Sequence, residues 1–313
     1  MNVKKYLKKP GLLLYYLGMH GWFHSMPDEA YLKMIYRAHF GGYPDLENPK
    51  TYTEKLQWLK LHDRKPEYTT MVDKYAAKQY IADKIGAEYV VPALGVWERF
   101  EDIDFASLPD RFVLKCTHDS GGLVICRDKA KLDLAKARRK INRSLKRSYY
   151  WTGREWPYHD VPPRILAEPY LEEPNHAQSD HVDANIITDY KFFCFQGDPK
   201  VMYIAKDIGR GPESDYFDMD FNHLPILVNE DAYAPNTPQK PKHFEKMKEI
   251  AAELSRGLSH VRVDFYCIGD ALYVGELTFY HCSGFCRISP PEWDHQLGEW
   301  LLLPSAAEAG MNK

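Results

Sequence analysis

The spacing of hydrophobic positions changes several times along the chain, and each change marks a different element. Over residues 26–68 the pattern is polar but helical: Tyr31, Met34, Ile35 and Ala38 share a face, and Thr53-Glu54-Lys55-Leu56-Gln57-Trp58-Leu59 opens a further helical stretch. The spacing predicts a helix over 71–86, with Val72, Tyr75, Ala76, Tyr80 and Ile81 on one face and Gly86 as its stop. Short apolar runs predict strands at Tyr89-Val90-Val91, Phe112-Val113-Leu114-Lys115 and Leu123-Val124-Ile125-Cys126. The last two flank a polar, glycine-ended loop, 116–122. Helical spacing returns over 128–147, with Leu134, Ile141 and Leu145 inward, and a proline-rich break at 157–163 closes that region.

The second half restarts with strands at 164–168 and 190–195; a turn at Gln196-Gly197-Asp198-Pro199 leads into a third at 200–204. Residues 174–188 read as a polar loop, and 207–241 as a loose, acidic, proline-containing segment. Phe244, Met247, Ile250, Ala251, Leu254 and Leu258 form one amphipathic helix, followed by strands at 261–266 and 272–276 that turn at Gly269-Asp270. The sum is an α+β protein built from antiparallel hairpins, without a long strand-helix-strand series.

Composition narrows this picture. At 44% hydrophobic and 27% charged residues the 313-residue chain can bury a large core, which excludes a disordered or collagen-like protein. Its length predicts one large or two to three small folding units. A net charge of −3 argues against a nucleic-acid coat. Six irregularly spaced cysteines are unlike a secreted disulfide scaffold and point to reduced thiols in the cytoplasm. His281, Cys282 and Cys286 have a metal-like spacing, but a structural zinc needs four ligands and no second pair stands out.

Residues 1–23 run basic then apolar, without a small-x-small cleavage site and far short of the roughly 20 residues that span a bilayer. They read either as a helix packed on the domain or as a basic-aromatic foot at the inner face of the membrane. Nine Lys or Arg gather between 128 and 147, followed by Tyr149, Tyr150, Trp151, Trp156 and Tyr158. This stretch is either a solvated helix face beside a packed aromatic loop or a landing strip for an acidic glycan or sugar phosphate.

Chemistry concentrates in the last hairpin. Alternation puts Val261, Val263 and Phe265 on one face and Arg262, Asp264 and Tyr266 on the other; Glu276 and Thr278 share a face of the return strand. Asp264 can oppose Glu276 only if the connection has an odd number of residues or a bulge. Two carboxylates about 5 Å apart would then suit a hard cation such as Mg2+. The alternative is a solvated strand face with Asp264 paired to a neighbouring Arg. Lys115 and the Ser120-Gly121-Gly122 loop could meet phosphate, although each has an ordinary structural reading.

The order of these pieces carries more than any one of them. Asp73-Lys74, Lys78, Gly86 and Pro92, then Phe112-Val113-Leu114-Lys115 with Ser120-Gly121-Gly122, then Glu168-Pro169-Tyr170-Leu171, then Arg262-Val263-Asp264-Phe265 and Gly275-Glu276-Leu277-Thr278 resemble the ATP-grasp superfamily. More narrowly, the series resembles the TupA-like ATP-grasp proteins of cell-surface polysaccharide or capsule synthesis, from about residue 45 to 300.

The resemblance implies an ATP-grasp fold of two α+β subdomains gripping ATP, 71–163 and 164–313, behind a mainly helical region, 1–70. Lys74 and Lys115 would grip the α- and β-phosphates, and Ser120, Gly121 and Gly122 would close over them. Glu168, with the backbone at Tyr170, would meet adenine, Asp189 the ribose, and Lys206 the γ-phosphate. Asp264, Glu276 and Thr278 would hold Mg2+, and Arg262 would face the acceptor and the developing charge. The sequence has Thr278 where the family motif ends in Asn, and it lacks the full α/β domain many such ligases carry first. The implied activity is an ATP-dependent carboxylate-amine ligase joining an amino compound to a sugar acid of a surface polysaccharide or its precursor. A sugar-hydroxyl kinase and a non-catalytic glycan-binding protein are the alternatives.

Overall fold

The structure is a computed structural model and describes residues 10–172, 187–207, 212–229 and 231–305. The basic residues within 1–9 and most of the loop expected at 174–188 lie outside the described residues.

Among the described residues five helices come first: α1 (Pro10–Met19), α2 (Asp28–Phe40), α3 (Tyr52–His62), α4 (Glu67–Val72) and α5 (Ala76–Ile85). α2 buries Tyr31, Leu32, Ile35 and Tyr36 around Phe285, and Leu14 of α1 packs against that cluster. Described residues of the N-terminal segment therefore form a packed helix, and among the described residues no helix is long and apolar enough to cross a membrane. α3 starts at a capping box, in which the Thr51 hydroxyl accepts from Glu54 N–H and the Glu54 carboxylate accepts from Thr51 N–H.

The single helix expected over 71–86 is two. Asp73 breaks it, because its carboxylate accepts the N–H groups of Tyr75 (2.9 Å) and Ala76 (3.3 Å) in competition with helical bonding. The break also sends the Lys74 N–H to the Thr117 carbonyl (3.1 Å), fastening Lys74 beside the glycine loop.

A four-stranded antiparallel sheet follows, with β1 (Gly95–Trp97), β2 (Phe112–Cys116), β3 (Leu123–Cys126) and β4 (Ile165–Pro169) in the order β1-β4-β2-β3. Tyr89-Val90-Val91 does not form the expected strand: a 3-10 turn occupies Ala87–Tyr89 and only Val90 bridges, to Val274. α6 (Leu134–Leu145) covers this sheet through Ala137, Ile141 and Ser144. Leu134, expected inward, is exposed because Asp133 caps the helix there, accepting from Lys136 N–H, and turns the first residue outward. α7 (Tyr150–Gly153) follows, and Tyr150 and Tyr158 are buried, so these aromatics serve packing.

The larger sheet is antiparallel and six-stranded, with β5 (Asp189–Phe195), β6 (Asp198–Asp207), β7 (Pro212–Phe217), β8 (His223–Leu224), β10 (His260–Ile268) and β11 (Ala271–Thr278) in the order β11-β10-β5-β6-β7-β8. Two short strands, β9 (Leu227–Val228) and β12 (Ile288–Ser289), pair separately. α8 (Phe244–Ser255) and α9 (Glu292–Trp300) complete the chain.

β7 lies in the segment expected to be loose. Beside Tyr216 and Phe217 its buried positions include two polar residues satisfied locally: Ser214 donates to Asp231, while Asp215 accepts from Ala234 N–H and bonds His223. Hydrophobic spacing could not reveal such a strand. Val261, Val263 and Phe265 are fully buried on one face of β10, as alternation requires. Arg262 and Asp264 on the other face are buried too, so that face is not the solvated one weighed above.

Candidate active site

The site forms where the last hairpin of the large sheet meets the glycine loop of the small one. Asp264 stands directly opposite Glu276, and the register shifts just beyond it so that Phe265 pairs with Val274. Gly275 is the extra residue of this bulge. A Cβ there would lie 2.5 Å from the Tyr266 ring, so any larger residue would have to displace that ring.

Asp264 is 1% exposed, and both its oxygens are engaged. Arg262 donates from Nε to Oδ1 and from Nη2 to Oδ2, each at 2.7 Å, and Lys191 donates to Oδ2 at 2.6 Å. Burial opposes the carboxylate's charge, yet Arg262 and Lys191 hold its pKa below the ordinary value. Arg262 extends the network, donating to Thr278 Oγ1 (3.1 Å) and to His281 Nδ1 (2.8 Å). Glu276 is more open, and one of its oxygens lies 3.4 Å from Lys74 Nζ.

Lys74 also donates to the Asp119 carbonyl (2.7 Å), linking hairpin to loop. The loop is held by its own acid: Asp119 Oδ1 accepts the N–H groups of Gly121 (3.2 Å) and Gly122 (2.9 Å), and its other oxygen accepts from Ser144 of α6. Ser120 and Gly121 are exposed at the tip.

Glu168 of β4 is buried between two ammonium groups, Lys78 on Oε1 and Lys115 on Oε2, each at 2.5 Å. Burial raises its pKa, but Lys115 and Lys78 outweigh this and hold it below the ordinary value. Burial lowers the pKa of Lys78, which also donates to the Val91 carbonyl (2.6 Å).

The expected residues therefore fall into connected groups: Lys74 with Glu276; Lys115 with Glu168; Asp264, Arg262 and Thr278 together. Asp189, 3.2 Å from Lys191, joins the last group, and burial raises its carboxyl pKa. Tyr170 lies past β4, its ring under the Arg111 guanidinium at 4.5 Å and its hydroxyl accepting from Arg127. Lys206 is in β6, paired in register with Glu213.

Sequence reasoning gave no site role to Lys78, Asp119 or Lys191, and weighed His281 only as a metal ligand. Lys191 reaches Asp264 only because β5 pairs with β10 across 73 residues, a separation that no local pattern announces. Asp119 had a local signal: an Asp two and three residues before a pair of glycines is a turn-capping acid. As to a metal, Asp264, Glu276 and Thr278 carry hard oxygens on adjacent strands, the donor chemistry that Mg2+ takes, and here Arg262 and Lys191 hold the Asp264 oxygens and Arg262 the Thr278 hydroxyl.

Two antiparallel sheets, one offering a lysine and a glycine loop, the other opposed carboxylates with an arginine on one of them, make up the arrangement of the ATP-grasp fold. The chain belongs to the TupA-like ATP-grasp family, whose model matches residues 54–302. Similar solved structures include the D-alanine-D-alanine ligase of Bacillus anthracis, 14% identical with a TM-score of 0.39, covering 67% of this chain and 57% of that one. The corresponding ligase of Helicobacter pylori is 13% identical with a TM-score of 0.43, covering 82% and 68%. An ADP complex of N5-carboxyaminoimidazole ribonucleotide synthetase is 14% identical with a TM-score of 0.44, covering 80% and 56%. The chain thus spans little more than half the length of two of these three. No curated protein matches it.

Proposed function

We propose that the protein is an ADP-forming carboxylate-amine ligase that joins an amino compound to a sugar acid of a surface polysaccharide or its precursor. The observation that carries the chemistry is the opposition of Asp264 and Glu276, with Lys74 beside one and Arg262 on the other. Phosphoryl transfer needs positioning and charge stabilisation and no protein nucleophile. Lys74 and Lys115 would bind the α- and β-phosphates, with Ser120, Gly121 and Gly122 folded over them. Glu168 and the backbone at Tyr170 would meet adenine, Asp189 the ribose, and Lys206 the γ-phosphate. Asp264, Glu276 and Thr278 would hold Mg2+, which when bound neutralises phosphate oxygens.

The substrate carboxylate oxygen attacks the γ-phosphorus and ADP leaves, giving an acyl phosphate; the amine nitrogen then attacks the acyl carbon and phosphate leaves. Arg262 faces the charge that develops in both steps. The glycine loop, drawn over the reacting groups, keeps water from the acyl phosphate.

An acidic acceptor is supported by α6 and the turn after it, where Lys136, Arg139, Lys140, Arg143, Lys146 and Arg147 are all exposed while Ala137, Ile141 and Ser144 are buried. Hydroxylamine added with MgATP and a panel of uronates and amino acids should yield hydroxamate in step with ADP. An acid-stable phosphate ester instead would make the protein a kinase of a sugar hydroxyl, and glycan binding without nucleotide turnover would make it a binding protein.

A further inference from the structure

The first helix carries a surface that the ligase chemistry leaves unused. α1 holds no charged residue, and small residues set it against α2: Gly11 backs onto the His39 ring, Gly18 onto the Tyr31 hydroxyl, and Leu14 packs on the cluster around Tyr31. Positions 11, 14 and 18 share one face of a helix, so Leu13, Tyr16 and His20 fall on the other. Leu13 and Tyr16 are only half-buried, and His20 is exposed. In the turn that follows, Trp22 is 73% exposed, more than any other large apolar side chain among the described residues. A single exposed apolar residue is ordinary. An uncharged helix that ends on a bare tryptophan is not, because it leaves apolar surface in water from its first turn to its end.

Charge says what covers it. Residues 1–27 include Lys4, Lys5, Lys8 and Lys9 and no Asp or Glu. The first acid, Asp28, is already held by Arg64 (2.8 Å) and Arg154 (3.4 Å). Two more cations stand beyond the C-terminal end of α1. Trp151 of α7 stacks on His24 at 4.0 Å, and exposed Lys146 and Arg147 precede it by at most about 17 Å of chain. An apolar stripe flanked by charges of one sign fits a surface that is apolar within and anionic at its face. A second copy of the chain would bring these lysines against their own equivalents across a two-fold axis. An acidic glycan would meet the cations but leave the uncharged helix in water.

We propose that α1 and the turn carrying Trp22 dock on an anionic phospholipid membrane, with α1 lying in the plane of its surface. α1 is about 15 Å long against a hydrocarbon core of roughly 30 Å, so it rests on the bilayer and does not span it. Leu13, Tyr16 and Trp22 enter the boundary between headgroups and acyl chains, the depth at which tryptophan is enriched. The lysines meet the headgroup phosphates, each strengthening binding roughly fivefold. Gly11, Leu14 and Gly18 stay on α2, so docking requires no change of fold. It is independent of the reaction that the site carries out.

Co-sedimentation of the full-length protein with extruded vesicles is the test. Vesicles of phosphatidylcholine and phosphatidylglycerol in equal parts should pellet the protein. Phosphatidylcholine alone should hold it roughly tenfold less well, and high salt should release it from both. This comparison needs no variant to fold. Trp22→Ala alters an exposed side chain outside the catalytic site, so its urea midpoint should stay unchanged while its affinity for the anionic vesicles falls roughly tenfold. Lipids brominated along their acyl chains should quench the tryptophan fluorescence of the unaltered protein more than that of Trp22→Ala. Equal pelleting by the two kinds of vesicle, or a Trp22→Ala protein that binds as tightly as the unaltered one, would overturn the proposal. So would a dimer in vesicle-free buffer that Trp22→Ala dissociates, which would assign the surface to a second copy. Retention on immobilised polyuronate through Trp22, with no binding to either vesicle, would assign it to an acidic glycan instead.

Discussion

Asp264 and Glu276 face each other across the last hairpin only because Gly275 between them and the turn has no partner of its own. The register shift converts an even hairpin, whose carboxylates would sit on opposite faces, into one whose carboxylates share a face. Gly275→Val should therefore strike twice. Its Cβ meets the Tyr266 ring at 2.5 Å, costing about 1–3 kcal/mol, and relieving the clash turns Glu276 away from Asp264. Urea unfolding should show the first effect, and a fall of roughly a hundredfold in MgATP turnover the second.

The two carboxylates should separate stability from activity. Asp264→Asn leaves Arg262 as a buried cation without its carboxylate and Lys191 with Asp189 alone, and should cost about 3 kcal/mol or more in urea unfolding. Glu276→Gln removes only the longer, more exposed contact to Lys74 and should cost under about 1 kcal/mol. ADP formation should be lost in both. A Glu276→Gln protein that turns over MgATP normally would exclude Glu276 from the metal site.

Glu168 is predicted to be a structural keystone as well as a nucleotide contact. Glu168→Gln confronts Lys78 with Lys115 and should destabilise by about 3 kcal/mol. Adding Lys78→Met should recover part of that loss, a coupling readable from a double-mutant cycle of unfolding free energies.

His260 sets an acid limit on the fold. It is buried between the Tyr52 hydroxyl (2.9 Å) and the Cys194 carbonyl (2.9 Å), and burial pushes its pKa from 6.5 down to about 3. The unfolded chain therefore binds a proton below pH 6.5 that the folded chain refuses until about pH 3. Within that window this residue makes stability fall with falling pH, by about 1.4 kcal/mol per unit. His260→Gln should remove this component of the slope when urea midpoints are compared between pH 6 and pH 4.

Much of this was legible in the chain itself. Alternation in 261–266 and 272–276 identified the site hairpin, and the need for a bulge followed from counting residues around Gly269-Asp270. The hairpin around the glycine loop was equally readable, because its strands are apolar and local. What stayed hidden was long-range or polar. Lys191 meets Asp264 through strand pairing, β7 buries Ser214 and Asp215 through hydrogen bonds, and β1 begins at Gly95, which carries no strand signal. The break at Asp73 was missed because an acid within an apolar helical pattern reads as a surface residue until its carboxylate is seen on the following amides.

The grip of Asp119 on the glycine amides has a further consequence. A loop whose N–H groups already hold a carboxylate accepts phosphate only by exchanging one anion for another. Such an exchange favours a newcomer with more charge and more oxygens than the tethered acid, and leaves neutral or weakly charged ligands outside. On the phosphate-binding role proposed above, Asp119 would be an internal competitor that raises the threshold for entry, and Asp119→Ala should relax the loop's discrimination between a nucleoside triphosphate and a monophosphate.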